Sequence, residues 1–169
     1  MKRRDLSIFI IATILVVFYS GCFYSLKGIS IDPTVKTFVV QNFDLAVPNA
    51  PGDINQRFSE LLRNKIRNQT RLTYNENTPD IEFSGSISSY TITPENPTGN
   101  NSSPFNKLEI GISVEYVDNN EPGKSWKQKF TFFKIYDNTL DLVSVQEGLI
   151  NEIFNQLSED VFNKAFTDW

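Results

Sequence analysis

Few residues of this chain have side chains suited to catalysis or metal binding. The sequence contains no histidine and a single cysteine, Cys22. It therefore excludes histidine-based acid–base catalysis, His or Cys metal sites and any internal disulfide. The nearest thing to an acidic cluster comprises Asp137, Asp141, Glu147 and Glu152. These acids lack the tight spacing of a calcium loop, and the helix dipole explains acids near the start of a helix.

We therefore expect a protein that is not an enzyme and that uses no metal or cofactor. A hydrolase built only on carboxylates, lysine or tyrosine is not excluded, but no motif argues for one. With 16 Lys and Arg against 20 Asp and Glu, the net charge is -4. Nucleic acid requires a basic surface, so we expect no nucleic-acid partner. The apolar content of 40% is enough to fill the core of one domain.

The N-terminus has the order of a secretory signal. Lys2, Arg3 and Arg4 precede an apolar run over residues 6–19. A membrane-spanning helix needs roughly 20 apolar residues, so this shorter run favours a cleaved segment. Ser20 and Gly21 then directly precede Cys22. This resembles a bacterial lipobox, in which the cysteine is acylated and becomes the new N-terminus, although Tyr19 stands where Leu is commonest.

The lipobox predicts three parts of the chain. Residues 1–21 are a lipoprotein signal peptide, residues 22–34 a lipidated N-terminal tether, and residues 35–169 a single α+β domain. Two or three acyl chains, each contributing about 0.8 kcal/mol per buried CH₂, would anchor the protein stably in a membrane. The alternative is an ordinary signal peptide cut nearby, which would leave Cys22 as a free thiol.

Helical spacing of apolar residues predicts two amphipathic helices. The first follows a possible N-cap at Asp53 and carries Ile54, Phe58, Leu62 and Ile66 on one face. The second fills the C-terminal segment from about Val145 to Phe166. We expect Ser144 to be its N-cap, with Glu147 as the capping-box partner.

Alternation of apolar and polar residues predicts the strands. Val35–Phe43 is one strand, and a second begins at Ile81, with Gly85 as a possible bulge. Tyr90 and Ile92 fall out of the phase of this second strand, which predicts a bulge or twist near its end. Residues 94–106 are expected to form a long loop. Residues 108–116 and 126–132 form a hairpin, in which the favoured register pairs Ile112 with Phe130 and Glu115 with Lys127.

The element order is therefore β-α-β-β-β-α, which predicts the α+β class. We expect a four-stranded, mostly antiparallel sheet with two helices packed on one face, because both helices must bury their apolar stripes. The other face of the sheet stays polar and faces water. Its expected side chains are those of Ser84, Ser86, Ser88, Glu109, Ser113, Glu115, Lys127, Lys129 and Thr131.

Several stretches of the mature chain resemble one family. The matching stretches are residues 23–37 after the lipidation cysteine, Gln69–Leu72 after the first helix, Gly85 with Tyr90–Pro94, and the ending Phe162–Trp169. In this order they resemble the LptE-type lipopolysaccharide-assembly lipoproteins. The resemblance covers nearly the whole mature chain, although none of the motifs is catalytic.

The resemblance implies an outer-membrane lipoprotein that faces the periplasm. It would act as plug and assembly partner of the large LptD-type β-barrel that delivers lipopolysaccharide to the cell surface. Large outer-membrane barrels have polar interiors, which a polar sheet face would suit. The alternative is a generic periplasm-facing lipoprotein, a binding or scaffold domain without a barrel partner.

Some members of that family are thought to contact lipopolysaccharide through basic residues. Clustered cations would suit the phosphates and carboxylates of this lipid. On this chain the alternative is that Lys127 pairs with Glu115 and that the charged helix face is only solvated. The candidate contacts are Lys124, Lys127, Lys129 and Lys134 on the hairpin and Arg63, Lys65, Arg67 and Arg71 around the first helix.

Overall fold

The computed structural model describes residues 30–95 and 104–167, which form a sheet with two helices on one face. Two short strands, β1 (Thr37–Val40) and β2 (Asp44–Leu45), precede helix α1 (Ile54–Gln69). A short strand β3 (Thr73–Tyr74) follows. The three long strands are β4 (Ile81–Glu95), β5 (Phe105–Asp118) and β6 (Trp126–Asp137), and helix α2 (Leu142–Phe166) ends the fold.

The α+β class and the packing of both helices on one face confirm the predicted architecture. The sheet order is β3-β1-β4-β5-β6, with β2 also paired to β4, so the described residues form six strands rather than four. The long strands are antiparallel, whereas β1 and β2 run parallel to β4. This parallel pairing arises because α1 carries the chain back across the sheet before β4 begins.

The predicted first strand, Val35–Phe43, is interrupted in the structure. The backbone leaves the sheet after Val40 and returns at Asp44, and α1 holds the excursion in place. The Phe43 amide donates to Ser59 Oγ at 2.9 Å, and Asn55 Nδ2 donates to the Phe43 carbonyl at 2.7 Å. Two side chains of the helix therefore replace the ladder hydrogen bonds that Phe43 gives up.

Two local predictions are wrong. The bulge in β4 falls between Ile87 and Ser89, directly before the residues that leave the alternation, as the phase of Tyr90 and Ile92 predicted, and not at Gly85. Helix α2 begins one turn earlier than expected, with Asp141 at the N-cap position. Ser144 lies inside its first turn and donates to the Asp141 carbonyl at 2.6 Å. Asp53 does occupy the N-cap position of α1, although its side chain makes no capping hydrogen bond.

The hairpin of β5 and β6 has the predicted register. Ile112 pairs with Phe130, and Glu115 pairs with Lys127. Both strands extend further than predicted, to Phe105 and Asp137, so the expected loop over residues 94–106 is shortened at both ends. Its central residues, 96–103, lie outside the described residues.

A column of aromatic rings joins the sheet to both helices. The Phe58 ring of α1 meets Phe43 and Phe154 edge-on, with centroids 5.1 Å away in each case. All three rings are buried. The Phe43 ring of this column packs directly against Gly85. A Cβ at position 85 would come within 2.7 Å of Phe43 Cε1 and 2.1 Å of the Ser113 carbonyl oxygen, so the contact requires glycine.

Replacing Gly85 with alanine should lower the free energy of unfolding by about 2–3 kcal/mol, because the Ser113 backbone cannot move away from the added methyl group. The matched control is Gly148→Ala within α2, where no atom lies within 4 Å of the added Cβ. That change should raise stability by up to about 1 kcal/mol through helix propensity. Urea unfolding measures both. Equal stability of the Gly85→Ala protein and the native protein would contradict the packing described.

Candidate functional site

The face of the sheet opposite the helices, here called the outer face, carries cross-strand rows of polar side chains. Ser84, Glu115 and Lys127 form one row, and Ser86, Ser113 and Lys129 form the next. A polar hollow of about 270 Å³ lies over these rows beside Asn42 and Asp44. Hydroxyl, carboxylate and ammonium groups therefore alternate across a surface that can exchange hydrogen bonds with a polar partner.

The cations of the outer face differ in their partners. Lys127 Nζ lies 3.0 Å from Glu115 Oε2, as the alternative interpretation of this residue predicted. Lys107 Nζ lies between Glu95 and Glu109, at 3.7 and 4.0 Å. The Lys129 side chain is exposed and makes no hydrogen bond or ion pair within the described residues. It is therefore the cation of this face that remains open to an outside anion.

The four candidate lysines of the hairpin do not form one cluster. Lys124 lies in the turn before β6, where its ammonium group contacts Glu121 at 2.7 Å and Asp32 at 3.4 Å. Lys134 projects from the opposite face of β6 and pairs with Glu152 of α2 at 2.7 Å. Only Lys127 and Lys129 share the outer face. A lipid contact by any of the four stays a prediction.

The candidate cations around α1 mainly hold the fold together. Lys65 pairs with Glu159 and so joins the two helices. Arg63 Nη2 donates to the Val40 carbonyl at 3.0 Å, and its guanidinium carbon lies 5.2 Å from the centre of the Tyr74 ring. Arg67 is exposed and has no ion pair within residues 30–95 and 104–167.

Arg71 helps to position the start of the domain beside the end of α2. Its guanidinium donates to the carbonyls of Ile31 and Asp32, at 3.1 and 3.2 Å. The Ser30 amide donates to the Phe166 carbonyl at 2.8 Å. The chain therefore enters the fold at the end of the sheet where α2 finishes, here called the entry end. Cys22 and the predicted signal peptide lie outside the described residues.

Exposed apolar side chains gather at the other end of the sheet, here called the distal end. Phe133 and Ile135 of β6 are 46% and 48% exposed and lie on the outer face beside Phe105. Leu140 and Val143 lie nearby, at the loop before α2 and in its first turn, and are 48% and 77% exposed. Phe133 and Ile135 stand where the alternation of β6 would place polar residues, but no pattern in the sequence shows that the exposed apolar residues share one end of the sheet.

The acidic residues considered for a cation site are separated in the fold. Glu147 contacts Arg57 at 3.3 Å, Glu152 contacts Lys134, and Asp137 accepts hydrogen bonds from Thr139. The described residues contain no group of three acidic, His or Cys side chains placed to hold a metal. Neither of the two described helices is long and apolar enough to cross a membrane.

Solved structures share this fold at low sequence identity. Rare lipoprotein B of Shewanella oneidensis superposes with a TM-score of 0.51 and 12% identity, covering 74% of this chain and 92% of its own. Lipoprotein B of Nitrosomonas europaea superposes with a TM-score of 0.51 and 10% identity, covering 80% of this chain and 88% of its own. A Chlamydia trachomatis protein superposes with a TM-score of 0.52 and 8% identity, covering 78% of this chain and 98% of its own. No curated protein matches the chain.

The chain therefore has the two-layer α+β fold of these structures. Within that class, the family model described as LptE, lipopolysaccharide-assembly, matches residues 35–165. The chain belongs to the LptE lipopolysaccharide-assembly family, as the resemblance in its sequence predicted.

The hydrogen bonds at the entry end predict a measurable pH dependence. Asp32 accepts from the Thr34 amide at 2.9 Å and the Thr34 hydroxyl at 2.7 Å, and these bonds, with a smaller effect of Lys124, lower its pKa to about 2. Because the folded state lowers the pKa of Asp32, the ionised carboxylate stabilises the fold. This contribution is complete above the unfolded pKa of 3.8 and is lost as the pH falls through about 2. Carbon-detected NMR titration should show this midpoint, and Thr34→Val should raise it. An unchanged midpoint in Thr34→Val would contradict the assignment.

Proposed function

We propose that this protein is an outer-membrane lipoprotein of the lipopolysaccharide transport machinery, facing the periplasm and anchored through acylated Cys22. In this role it acts as plug and assembly partner of a large LptD-type β-barrel, and it performs no catalysis. Family membership over residues 35–165 is the observation that carries the proposal. The lipoprotein neighbours and the lipobox-like Ser20-Gly21-Cys22 support the anchor.

The outer face has the surface chemistry that a plug requires. The interior of a large outer-membrane barrel is polar, so a body seated there must exchange hydrogen bonds with its wall. The rows formed by Ser84, Ser86, Ser113 and Glu115 offer both donors and acceptors on one face of the sheet. Because both helices pack on the other face, no element within the described residues covers these rows.

The acidic balance of the protein also suits a partner surface better than broad lipid coating. The net charge of the whole chain is -4, and most of the candidate cations already pair with carboxylates or carbonyls. Direct contact with lipopolysaccharide would therefore fall mainly to Lys129 and Arg67, the candidate cations whose side chains have neither an ion pair nor a hydrogen bond in the described part of the chain. This contact remains a secondary feature of the proposal.

The proposal predicts stable copurification with a barrel. Affinity purification of the full-length chain from detergent-solubilised outer membranes should recover one large β-barrel protein in stoichiometric amount, identified by mass spectrometry. A Cys22→Ser chain should lose its membrane anchor, because no acylation can occur. Recovery of an anchored chain without a barrel would refute the plug and leave a tethered binding domain.

A bulky side chain should identify the face that meets the barrel. Ser113→Trp fills the polar hollow of the outer face, so it should lower barrel recovery about tenfold, which corresponds to about 1.4 kcal/mol. The matched control is Asn68→Trp on the exposed side of α1, which should leave recovery unchanged. Circular dichroism of both variants establishes that each is folded. Equal barrel recovery with the two variants would show that another surface meets the barrel.

A further inference from the structure

The two edges of the sheet differ in how well they are closed. At one edge, β3 pairs with β1 for only two residues. The next carbonyl of β1 that points toward this edge, that of Val40, accepts a hydrogen bond from Arg63 instead. The guanidinium occupies the place of a further strand amide and so ends pairing along that edge. The other edge is β6, which has no strand partner but β5 within the described residues.

Strand β6 offers a long and regular template. Its twelve residues pair with β5 without a bulge, from Trp126 opposite Tyr116 to Asp137 opposite Phe105. It contains no proline. The outward-facing amides and carbonyls of such an edge can accept another extended chain, and natural proteins usually interrupt or cover an edge of this length.

The outer-face side chains of β6 divide into two halves. Near the entry end they are cationic, Lys127 and Lys129, and near the distal end they are apolar, Phe133 and Ile135. The two apolar side chains are about half exposed although they lie on an open edge, where charged residues would discourage pairing. The Lys129 side chain has no hydrogen-bond or ion-pair partner within the described residues.

Charge indicates what would pair with this edge. Strand β6 carries Lys127, Lys129 and Lys134 against a single acid, Asp137. A second copy of β6, paired antiparallel about Thr131, would set Lys127 and Lys129 opposite Ile135 and Phe133, so neither half would meet its complement. A segment with a carboxylate opposite Lys129 and apolar residues opposite Phe133 and Ile135 would satisfy both halves through cross-strand pairs.

We propose that the edge of β6 accepts an extended acidic-apolar segment of the barrel partner, added to the sheet as a further strand. This inference rests on the proposed function, since it takes the barrel protein as the partner. The segment must come from outside the wall of the barrel, because strands closed into a barrel have no free edge. Main-chain hydrogen bonds supply the affinity, and Lys129, Phe133 and Ile135 select the segment.

Hydrogen exchange on the purified complex tests the strand addition directly. Full-length chain that copurifies with the barrel is compared with the same chain alone in the same detergent. About half of the amides of residues 126–137 should exchange at least tenfold more slowly in the complex, because those facing the open edge become hydrogen-bonded. A barrel-bound chain whose β6 amides exchange as fast as in the free chain would overturn the inference and leave the plug intact.

Photo-crosslinking in cells identifies the occupant. A benzoyl-phenylalanine at Thr131, exposed at the centre of β6, should crosslink to a non-barrel segment of the barrel protein that contains acidic and apolar residues. Crosslinks only to residues 23–29 of the same chain, to a second copy or to lipid would each overturn the inference. Failure to recover any barrel would overturn both this inference and the proposed function.

Paired variants separate the edge from general surface effects. Phe133→Lys with Ile135→Lys should lower the yield of the Thr131 crosslink about tenfold, because charges replace the two apolar contacts. The matched control is Leu140→Lys with Val143→Lys, which changes two exposed apolar residues of the same distal end outside β6. The control should crosslink as well as the native chain. Equal losses in both variants would contradict a role for the β6 edge.

Discussion

The fold depends on the contact between Gly85 and the aromatic column above it. Phe43 can lie against the sheet only because residue 85 has no side chain, and Phe58 and Phe154 then continue the column into both helices. Hydrogen bonds from α1 to the backbone of Phe43 hold the base of the column in place. One interaction thus fixes the break between β1 and β2, the position of α1 and the contact between the helices.

Packing both helices on one face leaves the other face of the sheet open. Rows of hydroxyls and charged groups cover most of this face, and its large exposed apolar side chains lie toward the distal end. The chain enters at the opposite end, where Ser30 bonds to Phe166 and Arg71 holds the backbone of residues 31 and 32. The described chain therefore begins at one end of the sheet, and the large exposed apolar side chains lie at the other end.

Hydrogen bonds and ion pairs explain why basic residues are poor guides to a lipid site in this chain. Arg63 completes an interrupted sheet edge, Arg71 holds the entry segment, and Lys65 joins the two helices. In sequence these residues look like a charged, solvated helix face. Their acceptors are backbone carbonyls or residues about 20 to 90 positions away, so no local pattern could reveal their roles.

The sequence by itself determined the features that depend on local periodicity. Alternation and cross-strand charge predicted the β5–β6 register, helical spacing predicted both helices, and the resemblance predicted the family. Tertiary structure alone decided that Val35–Phe43 would break into two strands, that Gly85 would lie against a ring rather than form a bulge, and that α2 would begin after Asp141. It also decided which lysines share a surface and which strand edge stays open. The physical reason is that periodicity reports which face of an element is buried, whereas these features depend on which distant groups satisfy a particular backbone atom or fill a particular space.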